Sequence, residues 1–465
     1  MNKKLEEFNS YAKDKKIAVI GIGISNIPLL EYFTELGAQV TVFDKRIIDD
    51  IEKNITEKFM NLGVKYSLGE NYLSKLVGFD MIFRSPSCRP DLPEILAEVK
   101  RGAILTSEIE MLIELANCTI IGVTGSDGKT TTTTLIYEML KEKGYDTYLG
   151  GNIGIPLFIK LKNIKEDSII VLELSSFQLM TMKVSPNISV ITNISPNHLD
   201  IHKTYEEYIE AKKNIFIHQS KEDMLILNYD NEVTNSFTEE AKGKVLFFSS
   251  KEKINDGVVL DEAIIKSCEN KLRKHIINTK DVILRGKHNH ENICAAICTT
   301  KHLVDIETIK TVITSFRGVP HRLELVREIE GVKFYNDSIG TSPSRTSAGL
   351  NSFSEDIILI AGGYDKHLDY TEFGKQIVDS NKIKSLILMG QTADKIFEAV
   401  HIELENQNKE IDIYECETLE QTVRIAKGIA KAGEIVLFSP ASASFDMFKN
   451  FEERGNKFKE IVNGL

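Results

Sequence analysis

Short β-branched runs recur along the chain. Each ends in a small-residue turn and is followed by a stretch whose apolar positions fall at helical spacing. Lys16-Ile17-Ala18-Val19-Ile20 reads as a buried parallel strand. Gly21-Ile22-Gly23-Ile24-Ser25-Asn26 follows, then a helical pattern through Glu35, then a second strand from Gln39 to Phe43 that ends at Asp44. Strand, Gly-rich turn, helix, strand and terminal acid is the pattern of a dinucleotide-binding half-sheet. Asn26 stands where its third glycine belongs. A third strand, Met81-Ile82-Phe83, runs into the loop Ser85-Pro86-Ser87.

A second block begins near Ser107. The strand Thr119-Ile120-Ile121-Gly122-Val123 meets a glycine loop and a helix from about Thr130 to Lys143, with further strands at Ser168 to Leu172 and Ser189 to Thr192. From Val233 to Lys280 short strands alternate with turns and carry no recognisable chemistry. A third block begins near Val319-Pro320, and its strands Ile357 to Ile360, Leu386 to Met389 and Ile435 to Phe438 each end in Gly or Ser loops. The pattern predicts an α/β chain of three domains: residues 1–107, Rossmann-like; 108–318, a P-loop ATPase-like, mostly parallel sheet; and 319–465, Rossmann-like again.

Composition changes this picture little but excludes several functions. In 465 residues, 42% are hydrophobic and 27% charged, so the chain is neither disordered nor fibrous. Lys plus Arg number 57 against 68 Asp plus Glu, a net charge of −11, which argues against nucleic acid as a partner. Six cysteines include no Cys-x-x-Cys pair, which points to free thiols in a reducing compartment rather than zinc or redox motifs. The first residues are charged and no apolar run approaches the ~20 residues of a membrane helix, so a cytosolic protein with no membrane partner is expected.

Gly122-Val123-Thr124-Gly125-Ser126-Asp127-Gly128-Lys129-Thr130-Thr131 carries the strongest chemical signal. Small residues let backbone N–H groups converge on phosphate oxygens, and the following helix turns its positive end toward them. Lys129 is placed to reach the terminal phosphates and Thr130 to hold Mg²⁺. Strict P-loop spacing wants glycine at 123, where this chain has Val123. The alternative is a Gly-rich turn with an exposed lysine. Glu173 ends the strand Ile169 to Leu172, the expected place for a Mg²⁺ ligand beside a phosphate loop; taken alone it reads equally as a solvated strand-end acid. Gly21, Gly23 and Asp44 suggest a second nucleotide held by phosphate and ribose. Arg322 and Asp337 could close over a triphosphate or form a surface ion pair. Spacing does not single out His198 or Lys212.

Taken together, these segments resemble the Mur ligase family, ATP-dependent amide-forming enzymes of peptidoglycan precursor synthesis, over essentially the whole chain. The glycine loop is similar to the family's Gly-x-Thr-Gly-x-x-Gly-Lys-Thr, which accounts for the displaced glycine. Leu172 to Gln178 and Ser439 to Phe451 are the most specific matches. The resemblance implies ATP and two Mg²⁺ ions (or Mn²⁺), with Glu173 and His198 as metal ligands and Lys212 carbamylated so that its added carboxylate meets the second metal. It implies that Asn292, Arg322 and Asp337 contact ATP, beside Gly125, Ser126, Asp127, Gly128, Lys129, Thr130 and Thr131. Ser25, Asp44, Arg46, Ser87, Asn152 and Ser175 would face a uridine-nucleotide substrate, and Thr341, Lys366, Ser444 and Phe451 an incoming D-glutamate. Two positions depart from the pattern: Ile339 follows Asn-Asp-Ser where many relatives have lysine, and Ser87 replaces a glycine.

The activity so implied is addition of D-glutamate to UDP-N-acetylmuramoyl-L-alanine through an acyl-phosphate and a tetrahedral intermediate, by a monomer whose third domain closes before chemistry. The alternatives are a relative that adds a different amino acid or extends a folate tail, a nucleotide-driven switch without ligase activity, and a nicotinamide dehydrogenase resting on Gly21 to Asp44 alone.

Overall fold

The computed structural model describes residues 2–197, 201–252, 254–284, 286–366 and 368–465. The chain forms two compact units. One comprises Met1–Val282 with Lys287–Ser315, the other Ile283–Gly286 with Phe316–Leu465.

The first unit holds two sheets. The five strands of the first are β1 (Lys16–Ile20), β2 (Gln39–Asp44), β3 (Lys65–Leu68), β4 (Met81–Arg84) and β5 (Ile104–Thr106), all parallel in the order β3-β2-β1-β4-β5. Strand order reverses between β1 and β4, and the loops leaving their carboxyl ends form a crevice of the kind that takes nucleotides. The edge strands β3 and β5 were not legible as strands, because Lys65–Leu68 buries only Ser67 and Ile104–Thr106 only Thr106.

The second sheet has nine strands: β6 (Thr119–Thr124), β7 (Thr147–Gly151), β8 (Ile169–Glu173), β9 (Ile188–Ile191), β10 (Met224–Asn228), β11 (Lys244–Ser249), β12 (Gly257–Asp261), β13 (Ile264–Glu269) and β14 (Leu272–Asn278). Their order is β14-β13-β12-β11-β10-β9-β6-β8-β7, and every pairing is parallel except β12 with β13 and β13 with β14 at one edge. The stretch from Val233 to Lys280 thus widens this sheet, after one short helix at Glu232–Ser236, and the helix Lys287–Thr300 packs across β10, β11 and β12.

A single apolar core joins the two sheets, which is why they make one compact unit. Phe158 sits at its centre, with ring centroids 6.0 Å from Phe8, 5.1 Å from Tyr32 and 6.3 Å from Phe33. Beside it, the buried carboxylate of Glu108 accepts hydrogen bonds from the amides of Leu157 (3.2 Å) and Phe158 (2.9 Å).

The second unit contains β15 (Glu324–Ile329), β16 (Val332–Asn336), β17 (Ile357–Ala361), β18 (Ile383–Met389), β19 (Asp412–Cys416) and β20 (Ile435–Phe438). Their order is β15-β16-β20-β17-β18-β19, with β15 the one antiparallel strand. Apolar clusters cover both faces. All six cysteines are free, four of them buried. No helix among the described residues is long and apolar enough to cross a membrane.

Burial pushes the Glu108 carboxyl up to about 7, against the lowering effect of its two amide partners. Between the ordinary carboxylate value and about 7 the folded protein keeps a proton that the unfolded chain has lost. Stability therefore falls as pH rises through that window. Glu108→Gln keeps a carbonyl acceptor but removes the charge. It should leave the melting temperature little changed near pH 4.5 and raise it at pH 8, by up to ~3 kcal/mol of stability. Parallel melting curves for the two proteins at both pH values would refute this.

Candidate active site

Three glycines shape the end of β6 and the loop that leads from it to the helix Lys129–Lys143. A Cβ on Gly122 would lie 2.5 Å from Pro186, one on Gly125 (φ +152°) 1.8 Å from Thr192 Oγ1, and one on Gly128 (φ +77°) 2.1 Å from Asn292 Oδ1. The displaced glycine of the loop thus has a packing cause at 122, whereas Val123 is simply core. Asn292, from the helix Lys287–Thr300, stands directly against the loop. The segment after β9 fixes the loop's backbone: Ser126 N donates to Asn193 O (2.8 Å), Asp127 N to Asn193 Oδ1 (3.0 Å), and Thr192 Oγ1 to Asp127 O (2.5 Å). Thr132 N to Gly128 O is the first helical bond, so the amides of Lys129, Thr130 and Thr131 precede the ladder at the positive end of the helix dipole.

Two lysines converge here. Lys129 Nζ donates to Gly125 O and Ser126 O, both at 2.9 Å. Lys212 Nζ, from the helix Tyr205–Lys213, donates to the same Gly125 O at 2.8 Å and to Thr124 Oγ1 at 3.2 Å. Lys212 is 1% exposed. Burial and then the charge of Lys129 hold its amine well below the ordinary lysine value, against the smaller opposing effects of Glu173 and Asp127.

Glu173 closes the site from the end of β8. It is buried, its Oε1 accepts from Asn152 Nδ2 at 2.8 Å, and its Oε2 has no hydrogen-bond partner among the described residues. The Gly150-Gly151 end of β7 makes this approach possible, since a Cβ on Gly151 would lie 2.1 Å from Glu173 O. Asn152, expected at the nucleotide-sugar substrate, is seen here to orient Glu173. Ser175 starts a short helix through a capping box with Gln178. A buried carboxylate oxygen without a hydrogen-bond partner among the described residues suits a hard divalent cation. Among the described residues no cluster of three His, Cys, Asp or Glu side chains occurs. His198 lies outside the described residues.

At the crevice of the first sheet, Gly21 (φ +89°) meets the Ser85 side chain, and Ser85 Oγ lies 3.0 Å from Ser87 Oγ. Asn26 replaces the third glycine to structural effect: it is buried and its Nδ2 donates to the carbonyls of Ile20 and Gly21, both at 3.0 Å. Gly23, in contrast, has open space where a Cβ would go. Asp44 does not project free for a ribose. Its oxygens accept from Ile22 N (2.7 Å) and Arg46 N (2.9 Å), and from Arg46 Nε (3.0 Å) and Nη2 (2.9 Å). Burial raises its pKa, but Arg46 and these amides outweigh it and hold the carboxyl below the usual range. Asp44 therefore aims Arg46, which also donates to Ile22 O at 2.8 Å and reaches solvent.

Sequence reasoning missed Arg84. It is 1% exposed, and its guanidinium donates to Phe177 O (2.7 Å), Thr181 Oγ1 and Cys88 O, tying the Ser85–Ser87 loop to the segment after Glu173. A cation closing an apolar strand was the one available signal.

In the second unit, loops at the carboxyl ends of β16, β17 and β20 carry the remaining candidates. Asp337 is buried, accepts from Ser439 Oγ (2.5 Å) and Leu323 N (3.2 Å), and is pushed up to about 6 by burial. Arg322 is exposed and Asp337 is buried, so the two do not form a surface ion pair, although the charge of Arg322 acts on the Asp337 carboxyl and partly opposes the effect of burial. Lys366 Nζ stands 5.5 Å over the Phe445 ring. Thr341 N donates to Ile339 O, Ser444 is buried, and the Phe451 carbonyl accepts from Ser338 Oγ at 2.8 Å. Arg454, also missed from sequence, is 2% exposed and donates to Ser338, Ser442 and Ala443, joining two of these loops.

Three family descriptions match the chain: a MurD-like Mur ligase N-terminal domain over residues 15–107, a Mur ligase middle domain over 123–300, and a Mur ligase glutamate ligase domain over 321–442. The chain belongs to the Mur ligase family. Among curated Mur ligases, proteins named UDP-N-acetylmuramoylalanine–D-glutamate ligase are 53% identical in Acetivibrio thermocellus, 52% in Ruminiclostridium cellulolyticum and 50% in Clostridium botulinum, each over 100% of both chains. Solved Mur ligases share the fold at lower identity. A UDP-N-acetylmuramate–alanine ligase of Thermotoga maritima matches with TM-score 0.55, 19% identity and 97% of this chain against 99% of that one. A MurF ligase of Thermotoga maritima in complex with ADP matches with TM-score 0.53 and 18% identity over 98% and 97%.

The glycines of this Mur ligase differ sharply in what they tolerate. Gly128→Ala should weaken ATP binding at least ~10-fold, because both φ and the Asn292 contact oppose a methyl group. Gly23→Ala should leave the uridine-nucleotide substrate's KM within about twofold. Calorimetric titration of nucleotide and steady-state kinetics check the pair; equal effects would contradict the geometry.

Proposed function

We propose that the protein is an ATP-dependent amide ligase that joins D-glutamate to UDP-N-acetylmuramoyl-L-alanine and releases ADP and phosphate. The reaction belongs to the synthesis of peptidoglycan precursors. The observation that carries this is identity of 50–53%, end to end, with relatives that bear the name of that ligase. We place the enzyme in the cytoplasm as a monomer. Residues 1–107 are assigned to the uridine nucleotide, 108–318 to ATP and 319–465 to the amino acid.

The alanyl carboxylate of the substrate attacks the γ-phosphorus of ATP, and ADP leaves. Both reactants are anions, so the site must offset their repulsion. Lys129 gives its ammonium to phosphate oxygens in exchange for its carbonyl partners, and the amides of Lys129, Thr130 and Thr131 add their dipoles. Asn152 holds Oε1 of Glu173 and leaves Oε2 free of a hydrogen bond among the described residues. The amine of D-glutamate then adds to the acyl carbon of the acyl-phosphate, and the tetrahedral adduct expels phosphate. In the second unit Thr341, Lys366, Ser444 and Phe451 receive the amino acid, and in the first Asn292 stands against the phosphate loop that takes ATP.

Glu173, Thr130 and His198 are the residues that would hold Mg²⁺ (or Mn²⁺), two ions in all. When bound, the metal neutralises phosphate charge and polarises the transferring group. The unpartnered Oε2 of Glu173 supports this reading. The buried Lys212, its amine biased toward the neutral form, suits addition to CO₂: the nitrogen forms the new C–N bond, a proton is lost and a carbamate anion results. That anion would complete the oxygen ligands.

The test is phosphate release from ATP and Mg²⁺ with UDP-N-acetylmuramoyl-L-alanine, adding single amino acids in turn. D-glutamate should stimulate release, and L-glutamate, L-alanine, L-lysine and diaminopimelate should not. Lys129→Ala should lower the stimulated rate by about 10²–10³-fold or more with the fold intact by circular dichroism. Stimulation by another amino acid, or by none, would overturn the assignment.

A further inference from the structure

A dicarboxylic amino acid brings two negative charges to the loops of the second unit, and Lys366 can meet only one of them in a compact contact. Arg454 lies beneath the loops, its guanidinium wholly engaged by neutral hydroxyl and carbonyl oxygens. A further cation must therefore face the pocket from the surface. Ile339 leaves the Asn336-Asp337-Ser338 loop without one of its own.

Arg345 fits the requirement. It is exposed, in the first turn of the helix Pro343–Leu350, and among the described residues no carboxylate lies within ion-pairing distance of it. Its Nη1 lies 3.5 Å from Ile339 O, the same oxygen that accepts from Thr341 N at 2.8 Å, so the guanidinium reaches back over position 339 and lies next to Thr341. The neighbouring Thr346 holds the helix in place. Its Oγ1 accepts from Ser439 Oγ (2.9 Å) and from Ala441 N (3.1 Å), in the loop that continues to Ser444. Ala441 itself adopts φ +57°, a strained conformation for a residue with a Cβ, which this bond helps to secure.

We propose that Arg345 binds a carboxylate of the incoming D-glutamate beside Thr341, supplying from the helix the positive charge that Ile339 does not. The proposal rests on the ligase reading above. The planar fork of an arginine suits bidentate carboxylate recognition, and an exposed, unpaired side chain can turn to it without breaking an existing ion pair.

Arg345→Ala should raise the KM for D-glutamate by roughly 10- to 100-fold with kcat within about threefold, and leave the KM values for ATP and for the uridine-nucleotide substrate unchanged. Adding Ile339→Lys to that variant should recover a large part of the loss, because the charge returns from the neighbouring position. Since Arg345 is exposed, the melting temperature should not move. An unchanged KM for D-glutamate would overturn the proposal and leave the ligase reading standing. So would a loss that falls equally on ATP, or a double variant no better than the single one. A wild-type protein that D-glutamate does not stimulate would overturn both.

Discussion

The carbonyl oxygen of Gly125 receives two lysine side chains, and much of the first unit's architecture serves that arrangement. Lys129 and Lys212 hold their nitrogens within about 6 Å of each other, one of them almost wholly removed from solvent. Two ammoniums so placed repel, and burial penalises the one that cannot reach water. Lys212 is therefore the member pushed toward the neutral amine. The arrangement needs a carbonyl turned inward, which Gly125 provides at φ +152° where any side chain would strike Thr192. It also needs the Tyr205–Lys213 helix seated against the loop, which the 2.9 Å contact between Ser126 Oγ and the Tyr208 hydroxyl secures.

The other parts extend from this centre. Glu173 reaches it because β8 lies beside β6 and because Gly151 lets the end of β7 come close enough for Asn152 to grip one carboxylate oxygen. Arg84 then links the segment after Glu173 to the loop at the β1–β4 crevice. The crevice is thereby held in register with the segment that follows Glu173 by hydrogen bonds of the protein itself. In the second unit Arg454 and Thr346 do comparable work, tying the loops after β16 and β20 to each other and to the Pro343–Leu350 helix.

Much of this was legible in the residues. Apolar runs that are buried on both faces, such as Ile17 to Ile20, Ile169 to Leu172 and Ile357 to Ile360, announced parallel strands, and the glycine loop announced its helix. Edge strands were not legible: Lys65–Leu68 and Asp412–Cys416 bury too few side chains to leave a pattern. The roles of polar residues were legible only in part. Asp44 looked like a ribose ligand and proves to be saturated by Arg46 and amides, while Asn26 looked like a missing glycine and proves to be a side-chain staple. Nothing in the spacing of Tyr208-Ile209-Glu210-Ala211-Lys212 says that its lysine is buried. Resemblance drew attention to it, and tertiary packing gives the physical reason.

Burial and Lys129 push the Lys212 amine toward its neutral form, which is the form that the proposed uptake of CO₂ requires. Carbon-13 NMR of the protein equilibrated with ¹³C-bicarbonate near neutral pH addresses it most directly. The account predicts a carbamate carbon signal that is present in the wild type and absent from Lys212→Met. A spectrum without that signal, from protein whose Lys212 amine titrates at the ordinary lysine value, would contradict it.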